Sequence, residues 1–258
     1  MFPYSRRDFG PVPPLILVMP RMPRAVLPGV AHHLTQRGVD RQAVFFADRD
    51  RHVYLQLVQR AATQFGVSLV GYCLMPNHVH WIAVPESLAS LTKTFARAHG
   101  RYAQYCNSLL QRSGHFWQNR FYSCALDDAH LWAALRYVER NPVRAGLRAA
   151  SEDWTWSSAA VHVGRQASPP WVDLALWRSR FTPREWRDFL AAETFGEAEA
   201  ALRLNTYSGR PLGTDAFVER MEAELGRKLR ARKGGRPKAE SARTTAVASG
   251  QGILIPKG

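Results

Sequence analysis

Acidic residues are in short supply in this chain: 21 Asp and Glu stand against 35 Lys and Arg, leaving a formal net charge of +14. An excess of that size points to an anionic partner, most simply nucleic acid. An anionic membrane surface is the competing partner, but no helix-period basic stripe with a continuous apolar face is present to lie on one. Cysteine is scarce too. Cys73, Cys106 and Cys124 are odd in number and far apart, which excludes a disulfide framework or a Cys-rich zinc site and suits reduced core residues of a cytosolic protein. Long apolar runs are missing: none approaches the roughly 20 residues that span a bilayer. Leu15-Ile16-Leu17-Val18 is short, Pro-flanked and followed by no small-residue cleavage pattern, so it does not read as a signal peptide. There is no Gly-rich phosphate loop of the Walker type and no internal repeat.

What is present is an ordinary globular composition, 46% apolar and 22% charged over 258 residues, with room for a sizeable core. Residues 1–23 are rich in Pro and Arg without periodicity and read as disordered, with Met19 or Met22 as alternative starts. A strand is expected over 30–35 and a helix over 51–64 behind Asp50 as cap. Two strands over 67–74 and 78–84 flank a Met75-Pro76-Asn77 turn. A long helix capped by Ser87 runs to Gly114, a strand covers 116–125, and a third helix runs from Asp127-Asp128 to about Asn141. That order predicts an α+β, ferredoxin-like split βαβ antiparallel sheet with helices on one face and one added helix. A helical extension and a basic tail follow.

Two constellations carry chemistry. His78 and His80 are i and i+2 on a strand, so both imidazoles project from one sheet face. Such a pair begins a metal site but does not by itself define one. Tyr137 and Asn141 stand four apart on the third helix and share a face. An amide oxygen is a hard ligand suited to Mg²⁺ or Mn²⁺, and a phenol beside such a metal can attack phosphorus. Taken alone, Tyr137 reads more readily as a half-buried helix aromatic and Asn141 as a terminal residue. Tyr137 is singled out because Tyr54, Tyr102 and Tyr105 are followed at i+4 by Val58, Cys106 and Leu109, none a hard ligand.

The segments His32-His33-Leu34-Thr35-Gln36-Arg37-Gly38, Tyr72-Cys73-Leu74-Met75-Pro76-Asn77-His78-Val79-His80, Phe116-Trp117-Gln118-Asn119-Arg120-Phe121 and Tyr137-Val138-Glu139-Arg140-Asn141-Pro142-Val143-Arg144-Ala145-Gly146-Leu147 resemble REP-associated tyrosine transposases, within the IS200-like single-tyrosine HUH family. The resemblance covers about residues 24–160. It implies that His78, His80 and Asn141 hold a divalent metal, Mg²⁺ or Mn²⁺, and that Tyr137 forms a 5′-phosphotyrosine link with single-stranded DNA beside a hairpin. The joined strand then passes to another 3′-OH without ATP. A nucleoid-associated cytoplasmic protein, monomer or homodimer, is implied, with no membrane contact.

Around this core, Trp117 and Arg120 suit base stacking and phosphate contact, while alternate aromatics of the same run suit a core equally. Lys93, Arg97 and Arg101 form one helical stripe that fits a phosphate backbone or a solvated face. One of His32 and His33, which alternate faces, falls on the side of the metal or serves structure alone. The acid-free run Arg227–Lys238 contains Arg232, Lys233, Arg236 and Lys238; its Gly-Arg-Pro centre is similar to minor-groove hooks, or it acts as an unspecific electrostatic anchor. The organisation expected is a catalytic domain over 24–165, a helical accessory DNA-binding region over 166–230, and a basic disordered tail over 231–258. Helices around Ala198–Leu204 and Asp215–Leu225 suggest a helix-turn-helix-like unit about Ser208-Gly209-Arg210-Pro211. Two other functions stay open on the residues: a DNA- or RNA-binding regulator without chemistry, and a metal-dependent nuclease that uses water.

Overall fold

In the computed structural model, which describes residues 23–192 and 196–230, β1 (His32–Arg37) leads through a 3-10 turn at Val39–Arg41 into α1 (Asp48–Phe65). The helix begins earlier than expected because Asp50 lies inside the first turn rather than before it. Its carboxylate reaches back to accept from the Phe46 and Ala47 backbone N–H groups, both at 2.8 Å, at the positive end of the helix. Gly66 closes α1 at φ +65, a left-handed conformation that costs a glycine little. β2 (Val67–Met75) and β3 (His78–Pro85) form the expected hairpin, with Met75 opposite His78. α2 (Ser90–Leu109), β4 (Tyr122–Ala125) and α3 (Asp128–Glu139) follow. Asp127 caps α3 by accepting from the His130 N–H at 2.9 Å.

The strands lie in the order β2-β3-β1-β4, every neighbouring pair antiparallel, which is the ferredoxin-like arrangement. Period-2 alternation sorts the side chains onto two faces. Leu34, Val79 and Trp81 pack with Tyr54, Val58, Leu91, Phe95 and Tyr102, so α1 and α2 cover one face. Val70, Cys73, Ile82 and Cys124 pack with Leu131, Ala134, Leu135 and Val138, so the added helix α3 covers the other. Each such aliphatic side chain taken from water contributes about 1.5–3 kcal/mol. β2 bulges between Leu69 and Gly71, and a Cβ at Gly71 would overlap the Leu135 side chain. The glycine is what lets α3 come so close.

Beyond α3 come α4 (Asn141–Arg144), a 3-10 turn at Ser151–Asp153, α5 (Ala159–His162), α6 (Ala175–Arg178), α7 (Pro183–Ala191), α8 (Gly196–Ser208) and α9 (Asp215–Leu225). Packing does not follow the expected boundary after residue 165: Trp154, Trp177, Trp186, Leu190 and Leu202 share one core with α3. Nor do α8 and α9 make a free-standing helix-turn-helix. α8 lies on β4 and α3, Leu212 bridges to Leu126, and Phe217, Val218 and Met221 of α9 bury against Ala25, Leu27 and Val30. The strand expected over 116–125 narrows to four residues, because the polar Gln118-Asn119-Arg120 run breaks the alternation and turns outward. All three cysteines are free and buried. No helix among the described residues is long and apolar enough to cross a membrane. The expected disordered segment 1–23, except Pro23, and the tail 231–258 lie outside the described residues.

Candidate active site

His78 and His80 leave β3, a central strand, toward α3, with ring centroids 5.0 Å apart. Burial, followed by the charges of Arg37 and Arg144, pushes the His78 imidazole down to about 3. Burial, and then the neighbouring His78 and His33, holds His80 well below the usual histidine range. Both rings are therefore neutral at pH 7 and offer a lone pair. Which nitrogen carries it is set locally at His78. The Asn77 amide donates its N–H to the Arg41 carbonyl at 3.1 Å, which turns Asn77 Oδ1 toward His78 Nδ1 at 2.6 Å. Nδ1 must donate, and Nε2 is left bare with its lone pair. Asn77 thus orients a site histidine, whereas its place in the sequence marks only a turn.

Tyr137, 5% exposed, meets the same face from α3. Its ring stands edge-on to His80 at 5.7 Å and to His33 at 5.8 Å between centroids. Asn141 begins α4 and uses its amide N–H₂ on the Tyr137 and Val138 carbonyls, at 2.9 and 3.2 Å. Those bonds satisfy the end of α3 and leave Asn141 Oδ1 as the outward acceptor. Arg144 Nη2 donates to that oxygen at 2.7 Å and to Tyr137 Oη at 3.1 Å, with the guanidinium 4.2 Å from the Tyr137 ring centroid. One cation therefore bridges the phenol and the amide. Tyr137, Asn141 and Arg144 follow the i, i+4, i+7 spacing of one helical face, and that is the signal by which Arg144 could have been found.

α8 roofs this arrangement. Glu199 accepts from Arg144 Nη1 at 3.0 Å, Thr206 Oγ lies 2.8 Å from His33 Nδ1, and His33 Nε2 lies 2.9 Å from His80 Nδ1. Of the adjacent histidines, His33 is thus the one on the side of the site; His32 is tied to the Val30 and Ala25 carbonyls instead. A cavity of about 170 Å³ between α3, α7 and α8 reaches Tyr137, with His130, Phe189, Glu199 and Leu202 among its walls.

Among the described residues no group of three His, Cys, Asp or Glu side chains comes together to hold a metal. The set at hand is different: two neutral imidazoles and one amide oxygen. The amide oxygen and open water positions suit Mg²⁺ or Mn²⁺, and the two imidazoles favour Mn²⁺, the softer of the two, so the residues fit a divalent ion of this kind.

The other expected site residues fall elsewhere. Trp117 is a correction: it is buried among Tyr54, His99, Tyr102 and Phe116, and its indole N–H donates to the His99 carbonyl at 3.0 Å. It fills the core and has no face for a base. Arg120 is exposed beside Arg24, Tyr122 and Tyr207. Lys93, Arg97 and Arg101 are exposed on α2, across the sheet from Tyr137, so the fold does not bring them to the site. Arg232, Lys233, Arg236 and Lys238 lie outside the described residues.

Residues 28–141 match the model of the family described as transposase, IS200-like, and the matched segment holds His78, His80, Tyr137 and Asn141. Within that class the likeness is to REP-associated tyrosine transposases. A Haemophilus influenzae protein named as a candidate REP-associated tyrosine transposase is 31% identical over 100 residues, 34% of this chain and 57% of that protein. The chain thus spans little more than half the length of that curated relative. A solved structure of a REP-associated tyrosine transposase bound to a REP hairpin superposes with a TM-score of 0.50 at 18% identity, over 58% of this chain and 89% of that one, and so shares the fold. Over residues 28–141 the chain is thus similar to the IS200-like transposases.

Proposed function

We propose that this protein nicks and rejoins single-stranded DNA beside hairpins, as a metal-dependent transposase whose nucleophile is Tyr137. One observation carries the reading: residues from β3, α3 and α4 converge on one sheet face, with Tyr137 Oη and Asn141 Oδ1 sharing a single donor, Arg144 Nη2, beside the His78 and His80 pair. A binder without chemistry has no need of that set. The Haemophilus influenzae relative and the hairpin-bound structure support DNA as the partner and a hairpin as its feature.

His78, His80 and Asn141 would hold Mg²⁺ or Mn²⁺. When bound, the ion supplies Lewis-acid polarisation of a non-bridging phosphate oxygen. Tyr137 Oη attacks phosphorus and loses its proton to solvent; the P–O3′ bond breaks, and the leaving 3′-oxygen takes up a proton. The phosphodiester energy is kept in the tyrosyl link, and attack by a second 3′-OH reverses the step on a new strand. Arg144 holds the Tyr137 oxygen and places positive charge where nucleophile and phosphate meet. The neutral His78 and His80 rings leave their lone pairs free, and α3 fixes the phenol against them.

The test is incubation with end-labelled hairpin DNA from the flanks of its own gene, with Mn²⁺ or EDTA, followed by denaturing electrophoresis. A metal-dependent protein adduct on the 3′-labelled strand, lost in Tyr137→Phe, is expected. Cleavage that survives Tyr137→Phe would instead establish water as nucleophile, and tight binding without cleavage would leave a regulator.

A further inference from the structure

We propose that His33 is a positioning residue: with Thr206 of α8 it forms a hydrogen-bond relay that fixes the tautomer of His80 so that Nε2 faces the metal. The inference rests on the reading of His80 as a metal ligand and adds a third histidine and a residue 173 positions away to that site.

The direction of each bond follows from counting protons. Thr206 has one hydroxyl proton, and it donates that proton to the Leu202 carbonyl four residues back in α8, at 2.7 Å. Thr206 Oγ, 2.8 Å from His33 Nδ1, can then only accept, so His33 Nδ1 carries a proton. His33 is 1% exposed and its two ring nitrogens meet Thr206 and His80 rather than a carboxylate, so a charge there would be buried and unpaired; the ring is neutral, with one N–H and no more. Its Nε2 is therefore an acceptor, and the 2.9 Å contact to His80 Nδ1 requires His80 to donate. A neutral His80 that donates from Nδ1 has its lone pair on Nε2. The ring geometry agrees: centroids 5.1 Å apart with planes within 12° and a 2.9 Å N···N contact describe a nearly collinear bond in the common plane, not a face-to-face stack.

The relay gives His80 what Asn77 gives His78. Each site histidine has a partner on Nδ1, and each is left with Nε2 to present. The partner also limits ring rotation and makes Nε2 a better base, and loss of such outer partners costs about 10–100-fold in metal affinity. Phe at position 33 would fill the same volume with no acceptor. Gln could accept from His80 through its carbonyl and donate to Thr206 through its amide.

The experiment uses the full chain in three variants, His33→Phe, His33→Gln and Thr206→Val, each checked for a native thermal melt. Long-range ¹H–¹⁵N spectra of the metal-free proteins report the imidazole tautomers, and calorimetry with MnCl₂ reports affinity. Wild type is expected to show His80 with its proton on Nδ1. His33→Phe should populate the other tautomer and bind Mn²⁺ about 10–100-fold more weakly. His33→Gln should restore most of both, and Thr206→Val should fall between. Should His33→Phe not fold, Thr206→Val carries the test, since it removes one oxygen and keeps the shape. An unchanged His80 tautomer with unchanged Mn²⁺ affinity in both His33→Phe and Thr206→Val overturns the relay and leaves the proposed function standing. Absence of Mn²⁺ binding in wild type overturns the metal reading instead, and the tautomer spectra still decide the relay.

Discussion

Glu139 stands two residues after Tyr137, yet it is 0% exposed and faces away from the site. Its Oε1 accepts from Ser158 Oγ at 2.6 Å and His162 Nδ1 at 2.5 Å, and its Oε2 accepts from Trp186 Nε1 at 2.8 Å. One carboxylate thus ties α3 to α5 and α7. Glu139→Ala would strand two buried donors, His162 Nδ1 and Trp186 Nε1, each costing about 1–3 kcal/mol, while Ser158 Oγ keeps the Tyr72 carbonyl at 3.3 Å. Partial collapse and water entry offset some of that sum, and breaking a buried pair costs about 3–5 kcal/mol, so a loss of about 4 kcal/mol is expected. With a urea m-value of about 2.5 kcal/mol/M, the unfolding midpoint falls by about 1.5 M. For about 200 residues the melting temperature falls by about 10 °C. Glu139→Gln keeps one carbonyl acceptor but turns an N–H₂ toward a donor, and should lose about half as much. Equilibrium urea unfolding followed by tryptophan fluorescence reads both. A Glu139→Ala midpoint within about 0.4 M of wild type, roughly 1 kcal/mol, refutes this account of the cluster.

The same reasoning extends to other positions. Gly71→Ala should push Leu135 off its rotamer and lower stability by about 1–3 kcal/mol, measured by thermal melting. His32 and His99 are held at about 4 and about 3 by burial, so both stay neutral in the fold while the unfolded chain protonates them near 6.5. Unfolding then takes up protons, and stability should fall as pH drops from about 6.5 toward about 4, by about 1.4 kcal/mol per pH unit for each histidine. Urea unfolding at pH 7 and pH 5 checks the sign; equal stability would contradict it. Trp117→Ala should cost about 3–5 kcal/mol of stability, whereas Arg120→Ala should weaken single-stranded DNA binding and leave the melt unchanged.

The parts legible in the sequence are those with short-range logic. His78 and His80 announce a shared face by strand parity, Tyr137 and Asn141 by one turn of helix, and the βαββαβ order by alternating periods. Asn141 shares the Tyr137 face although α3 ends at Glu139, because Arg140 stays near helical dihedrals and Asn141 begins another turn. Trp117 misled because alternation with polar neighbours looks the same whether an aromatic faces a base or a core. His33 to Thr206 had no signal at all: nothing in α8 marks one threonine among its polar residues, and the pairing exists only once α8 lies on β4 and α3. Orientation of a ligand nitrogen is a property of the third dimension. The boundary expected at residue 165 cuts across one core for a related reason, since nothing in the order of residues shows that Trp177, Trp186, Leu190 and Leu202 pack with α3.

The separation of His33 from Thr206 also has a consequence in time. A growing chain is extended at roughly 5–20 residues per second, so the 173 residues between them take on the order of ten to thirty seconds to make. During that interval β1, β3 and α3 can already pair and bring His33 to His80, but His33 still lacks the Thr206 oxygen that fixes its own tautomer. α8 is therefore a late addition, and the hydrogen-bond chain from Thr206 through His33 to His80 closes only when that helix docks.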